Sequence, residues 1–155
     1  MSEKLCDTKT HYLYNAFIYT GKSDSNQRNQ VAIPTQNVLQ LAAPLFGTNR
    51  NITVDNWFSS IELVDKLIEK GVTYVGTVRK NKREIPPDFL PNRQREIGST
   101  LFGFVKDKTL ASYAPKNNQS VVMISSMRHD KSINEVSGKP EIIEFYNSTK
   151  GGCFR

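Results

Sequence analysis

Two aspartates, Asp7 in KLCDTKT and Asp55 in NITVDNWF, stand where β-favouring residues give way to polar ones. A carboxylate at the end of a strand is held rigidly beside a crevice, and two of them on neighbouring strands can share hard divalent cations through oxygen ligands. Such a pair suits Mg²⁺ or Mn²⁺. Two ions about 4 Å apart can activate an attacking oxygen and neutralise a leaving one in phosphoryl transfer. Taken alone, an Asp at a strand end is more often a turn or capping residue, so residue type and position leave both readings open.

The remaining reactive side chains carry weaker signals. His11 and His129 have no Cys or second His at metal-ligand spacing. Ser59 and Ser60 lie outside any GxSxG setting, and helix capping accounts for them. Cys6 and Cys153 sit near opposite ends with no CxxC partner, which argues for free thiols inside the cell and against a disulfide framework. Directly after a strand, Trp57 and Phe58 read as core plugs rather than base-stacking rings. Gly151 and Gly152 are too few for a phosphate-binding loop.

Charge points more clearly to a partner. The 155 residues hold 21 Lys and Arg against 15 Asp and Glu, a net +6, and residues 79 to 95, RKNKREIPPDFLPNRQR, concentrate it. Six basic side chains there, Arg79, Lys80, Lys82, Arg83, Arg93 and Arg95, face only Glu84 and Asp88. A basic focus of this kind favours polyanions, although a solvated loop has the same composition.

The elements that must position these residues follow from periodicity. HYLYNAFIYT, residues 11 to 20, is aromatic and β-branched and closes at Gly21, a strand with a shorter strand before it and a polar connection, residues 22 to 31, after it. Pro34 opens a helix whose apolar stripe (Val38, Leu39, Leu41, Ala42, Leu45) runs to Gly47. NITVDNWF is a strand entering a loop. SSIELVDKLIEKG is a helix with Ser59 and Glu62 at capping-box spacing, Ile61, Val64, Leu67 and Ile68 as its buried stripe, and Gly71 as its left-handed C-terminal cap. VTYVGTV, residues 72 to 78, follows at once, which makes a βαβ unit with a parallel pair. Beyond it come the Pro-rich basic loop, a hairpin from LFGFV and TLASY, a third strand in SVVMISS, and EIIEFYN, residues 141 to 147, read as extended. There is no internal repeat.

Composition excludes other classes. Hydrophobic residues make up 37% and charged residues 23%, with a mean hydropathy of -0.49. That is a globular chain able to bury one core, not a disordered or fibrous one. No run reaches the roughly 18 apolar residues of a membrane span, and the start lacks the character of a signal peptide, so no membrane partner is expected.

Several blocks together carry a family resemblance. CDTKTHYLYNAFIYTGK, RNITVDNWFSS, VGTVRKNKREIP, the SINE of residues 132 to 135 and GKPEIIEFYNSTKGG resemble, in order and spacing, consecutive blocks of the piggyBac transposases and their transposable-element-derived relatives, from about Cys6 to Gly152. The resemblance implies an α/β, RNase H-like mixed sheet flanked by helices, with a β-rich insertion at about residues 80 to 140 that begins with the basic loop. It implies DNA cut-and-paste transposition by metal-dependent phosphoryl transfer, with Asp7 and Asp55 as catalytic and metal-binding carboxylates and Mg²⁺ or Mn²⁺ as cofactor. It also implies Arg79, Lys80, Lys82 and Arg83 as DNA contacts, DNA (transposon ends in the ancestor) and a second copy of the chain as partners, and a nuclear location. Phosphate contacts of that kind position DNA without reading its sequence.

One departure bears on activity. Where the family continues TKGGVD, with its third catalytic Asp on an entering helix, this chain reads Lys150, Gly151, Gly152, Cys153, Phe154. Phe154 cannot ligate a cation, so the expectation is a truncated transposase domain without its last catalytic helix, inactive alone. A domesticated non-catalytic DNA- or protein-binding module and a fragment that is not a stable protein remain the alternatives.

Overall fold

A computed structural model describes residues 2–18 and 31–151. The polar connection, all but its last residue, and Cys153 and Phe154 lie outside the described residues.

Strand β1 (Ser2–Cys6) and strand β2 (Leu13–Ile18) form an antiparallel two-stranded sheet. Helix α1 (Ile33–Ala42), with Pro34 in its first turn and a 3-10 turn over Ala43–Leu45, matches the sequence expectation. The hairpin docks on α1, where Asn15 Nδ2 donates to the Leu41 carbonyl at 3.0 Å.

Strand β3 (Asn51–Val54), helix α2 (Ile61–Glu69) and strand β4 (Thr73–Thr77) make the expected βαβ unit, with Ile52 opposite Tyr74 and Val54 opposite Gly76 in a parallel pair. Gly71 takes φ +67 and donates to the Ile68 carbonyl at 3.0 Å, the left-handed helix stop. Strands β5 (Thr100–Val105), β6 (Lys108–Tyr113) and β7 (Val121–Ser125) do not stand apart. They extend the same sheet in the order β3-β4-β7-β6-β5, antiparallel beyond β4.

The sheet is covered on both faces, which is why β4 and β7 are almost continuously buried. Alternate residues choose the face. Tyr74, Val122 and Ile124 join Ile52, Val54, Val38, Ala42, Leu63, Val64 and Leu67 under α1 and α2. Val75, Ala111 and Met123 point the other way, against Ile142, Ile143 and Tyr146.

Those last three belong to helix α3 (Glu141–Thr149), which corrects the extended reading of EIIEFYN. Ile142, Ile143 and Tyr146 recur at one, then three residues and share one helical face, and Pro140 precedes the first turn where its missing N–H costs nothing. Glu141 and Glu144 sit near the positive end of the helix dipole, and Arg128 Nη1 donates to Glu141 Oε2 at 2.7 Å. Aromatic and β-branched composition suggested a strand; a second sheet face needing cover made a helix.

The cap of α2 is a second correction. Ser60, not Ser59, is the N-cap and accepts from the Leu63 amide at 3.1 Å. Glu62 therefore falls inside the first turn and closes no capping box. In the stripe, Leu63, Val64 and Leu67 are fully buried, while Ile61 and Ile68 are half-buried. Ser60→Ala is expected to destabilise the protein by about 1 kcal/mol through the lost cap. An unchanged urea midpoint would remove Ser60 from that role.

Candidate functional site

Asp55 is the first residue after β3, and its carboxylate is exposed. The turn that carries it is built from below. Phe58 N donates to the Asp55 carbonyl at 3.1 Å and Ser59 Oγ donates to the same oxygen at 3.0 Å, while Asn56 N donates to Asp55 Oδ1 at 2.6 Å.

Ser59 is itself gripped. Its hydroxyl has one hydrogen, which goes to Asp55, so the Tyr74 hydroxyl must donate to Ser59 Oγ. Tyr74, the second residue of β4, is fully buried. Burial drives its phenol well above the ordinary tyrosine value, the Ser59 bond offsets this in part, and the nearby Asp55 charge raises it further. The ring lies across Gly76, where an added Cβ would meet the Tyr74 hydroxyl and stand 2.6 Å from the Val54 carbonyl. Only glycine leaves that space.

Asp7 is the residue after β1, and it too is exposed. Its Oδ1 accepts from Thr10 Oγ1 at 2.7 Å, Thr10 N at 2.8 Å and Lys9 N at 3.1 Å, an Asx turn that closes the hairpin. Those bonds, the Thr10 hydroxyl first, hold its carboxyl below the usual aspartate value. Asp7 therefore does perform the capping task that its position suggested, while remaining ionised. Because β1 pairs with β2 alone, Asp7 and Asp55 stand on two different sheets rather than on adjacent hydrogen-bonded strands, which corrects that expectation. Among the described residues no cluster of three or more His, Cys, Asp and Glu side chains forms.

The end of α3 approaches the same place. Thr149 Oγ1 donates to the Phe145 carbonyl at 2.9 Å and meets Thr53 Oγ1 at 2.7 Å. The chain leaving α3 thus starts beside β3, two residues before Asp55.

The basic loop divides into cations that are spent and cations that are free. Arg95 is structural: Nη1 donates to Ser112 Oγ at 2.7 Å, and Nη2 donates to the Ser112 carbonyl at 2.8 Å and the Ser99 carbonyl at 3.3 Å. Burial draws its guanidinium below the ordinary arginine value. Lys80 and Arg83 are exposed. Lys82 is half-buried and lines an apolar groove of about 200 Å³ with Ile85, Phe89, Phe104 and Leu110. Arg79 is half-buried, with Cζ 4.3 Å from the centre of the Trp57 ring. Trp57 is 58% exposed, so it plugs nothing, whereas Phe58 does pack against the core. Lys108, outside the loop, is neutralised by Asp65 and Asp107; burial alone would lower its pKa, but the two carboxylates outweigh that and raise it.

Cys6 is disulfide-bonded, which overturns the free-thiol expectation at that residue. Sequence spacing gave no signal for it, nor for Tyr74, whose role depends on the facing loop.

A mixed sheet covered by helices on both faces gives the chain an α/β, RNase H-like core. The chain belongs to the DDE-type transposase family described as Transposase IS4, whose model matches residues 3–155. Its domain is of the piggyBac type: it is similar to a chain of the cryo-EM structure of a piggyBac transposase synaptic complex with hairpin DNA, at 43% identity and a TM-score of 0.89. That match covers 97% of this chain and 32% of the other, so this chain spans about a third of the transposase's length.

The hydrogen-bond order has an asymmetric consequence. Ser59→Ala strands a buried phenol hydroxyl and is expected to cost about 2–3 kcal/mol, whereas Tyr74→Phe removes only a donor and is expected to cost about 1 kcal/mol. Equal losses in urea unfolding would contradict the assigned direction of the bonds.

Proposed function

We propose that this chain supplies the DNA-holding part of a piggyBac-type cut-and-paste transposase and, by itself, binds DNA without breaking it. The observation that carries this is the convergence beyond the C-terminal ends of the parallel strands β3 and β4, where Asp55 follows β3 directly and Arg79, two residues past β4, stacks on Trp57 of the Asp55 turn. In open α/β sheets that crevice is where ligands sit. Arg79, Lys80, Lys82 and Arg83 contact phosphates there, Arg79 and Lys82 from half-buried positions and Lys80 and Arg83 from solvent.

Asp7 and Asp55 fit a hard divalent cation, Mg²⁺ or Mn²⁺, in donor type: both are exposed oxygen donors, and Asp7 is kept ionised by its turn. When bound, such ions neutralise the attacking and leaving oxygens of a phosphoryl transfer. The donor set is one acid short, because Phe154 occupies the position of the third carboxylate. A nuclear location and pairing with a second copy belong to this reading.

The test uses the 155-residue chain with a hairpin transposon end and Mn²⁺. Binding is expected to weaken steeply with salt, and Arg79→Ala, Lys80→Ala, Lys82→Ala and Arg83→Ala are each expected to lower the slope of log K against log salt by about 0.9, whatever the DNA sequence. No nick should appear. Strand cleavage abolished by Asp55→Ala would overturn the inactivity, and salt-independent binding would overturn the phosphate contacts.

A further inference from the structure

Arg79 differs from the cations that hydrogen bonds and ion pairs hold in this chain. Arg95, Arg128 and Lys108 are each held by oxygen acceptors that consume their charge or their donors. The Arg79 guanidinium, among the described residues, meets neither a carboxylate nor a hydrogen-bond acceptor. What orders it is an aromatic ring. Trp57, at 58% exposure, lies under it with a separation of 4.3 Å between Cζ and ring centre. At that exposure the core does not hold the ring, and the Arg79 guanidinium is the cation stacked on it. Contact through the ring face orders the cation without using its N–H groups, which lie in the guanidinium plane and remain free for a bidentate anion.

The two residues also come from different elements. Trp57 is in the turn after Asp55, fixed through Ser59 and Tyr74, and Arg79 follows β4. The stack therefore ties the start of the basic loop to the turn that bears the carboxylate. We propose that Trp57 is the positioning residue of Arg79, holding its guanidinium pre-ordered beside Asp55 for a DNA phosphate. This rests on the DNA-binding reading above.

The chain's only tryptophan makes the stack observable. The experiment titrates a fluorescein-labelled duplex of mixed sequence with the whole chain across a salt series. Trp57→Leu, which fills space but has no ring face, is expected to weaken binding about two- to fivefold and to flatten the salt slope as Arg79→Ala does. Trp57→Phe is expected to recover most of the loss, and the double variant Trp57→Leu, Arg79→Ala to bind no more weakly than Arg79→Ala alone. Without DNA, Arg79→Ala should move the tryptophan emission to longer wavelength with the melting temperature unchanged, a readout that does not depend on whether Trp57→Leu folds. Native affinity for Trp57→Leu, multiplicative losses in the double variant, or an unmoved emission would each overturn the positioning role while leaving the DNA reading intact. A native chain that binds no duplex would overturn both.

Discussion

A single buried phenol hydroxyl sets the geometry at the centre of this domain. Tyr74 stands near the start of β4 with no solvent to receive its hydrogen, and a donor in that position must find an acceptor or cost about 1–3 kcal/mol. It finds Ser59, and Ser59 passes its own hydrogen to the Asp55 carbonyl. The demand of one core atom is thereby transmitted into the shape of an exposed turn. Gly76 is part of the same arrangement, because a side chain there would occupy the hydroxyl's place and press on the Val54 carbonyl. The carboxylate of Asp55 is oriented by the interior, although nothing in the interior touches it.

Electrostatics sorts the surface by the same logic. A net +6 measures how many charges exist but not how many are available. Arg95 looks in sequence like one more member of the basic loop, yet its Nη1 and Nη2 donate to the Ser112 hydroxyl and two carbonyls, and it fastens the loop to β6. Lys108 is spent between Asp65 and Asp107, and Arg128 on Glu141 at the head of α3. Arg79, two residues past the end of β4, meets no carboxylate among the described residues. Topology, more than composition, decides which charges of the basic loop are spent.

What could be read in the sequence was whatever depends on local spacing. The βαβ unit was legible because apolar residues recur at helical intervals between two β-type runs and Gly71 can only be a stop. The β5–β6 hairpin was legible from its short polar connection. Asp55 was recognisable because a strand visibly ends on it. The errors share one cause, which is that the deciding partner lies far away in the chain. Ser59 and Ser60 have equal claims on the cap until a tyrosine 15 residues downstream engages one of them. EIIEFYN has the composition of a strand and becomes a helix because Val75, Ala111 and Met123 leave a sheet face uncovered. Trp57 looks like core because large rings usually are, and instead lies exposed under the guanidinium of Arg79, 22 residues downstream.

The placement of Asp7 shows how far two carboxylates can be related without a shared strand pair. Its own hairpin is a separate sheet, anchored to the body through α1 by Asn15 and by Leu5 against the main core. The Asx turn rigidifies the acid locally, spending Oδ1 on three donors and leaving Oδ2 outward. Asp55 is rigidified globally, through a core hydrogen-bond chain. Two acids stiffened by independent means are related to each other through the packing of α1 between the hairpin and α2, with no ladder hydrogen bond between their strands. The third approach, from α3 through Thr149 to Thr53, is again a side-chain contact. Side-chain contacts of this kind, rather than backbone ladders, hold the hairpin, the Asp55 turn and the end of α3 around a sheet that this chain shares with a transposase chain at 43% identity.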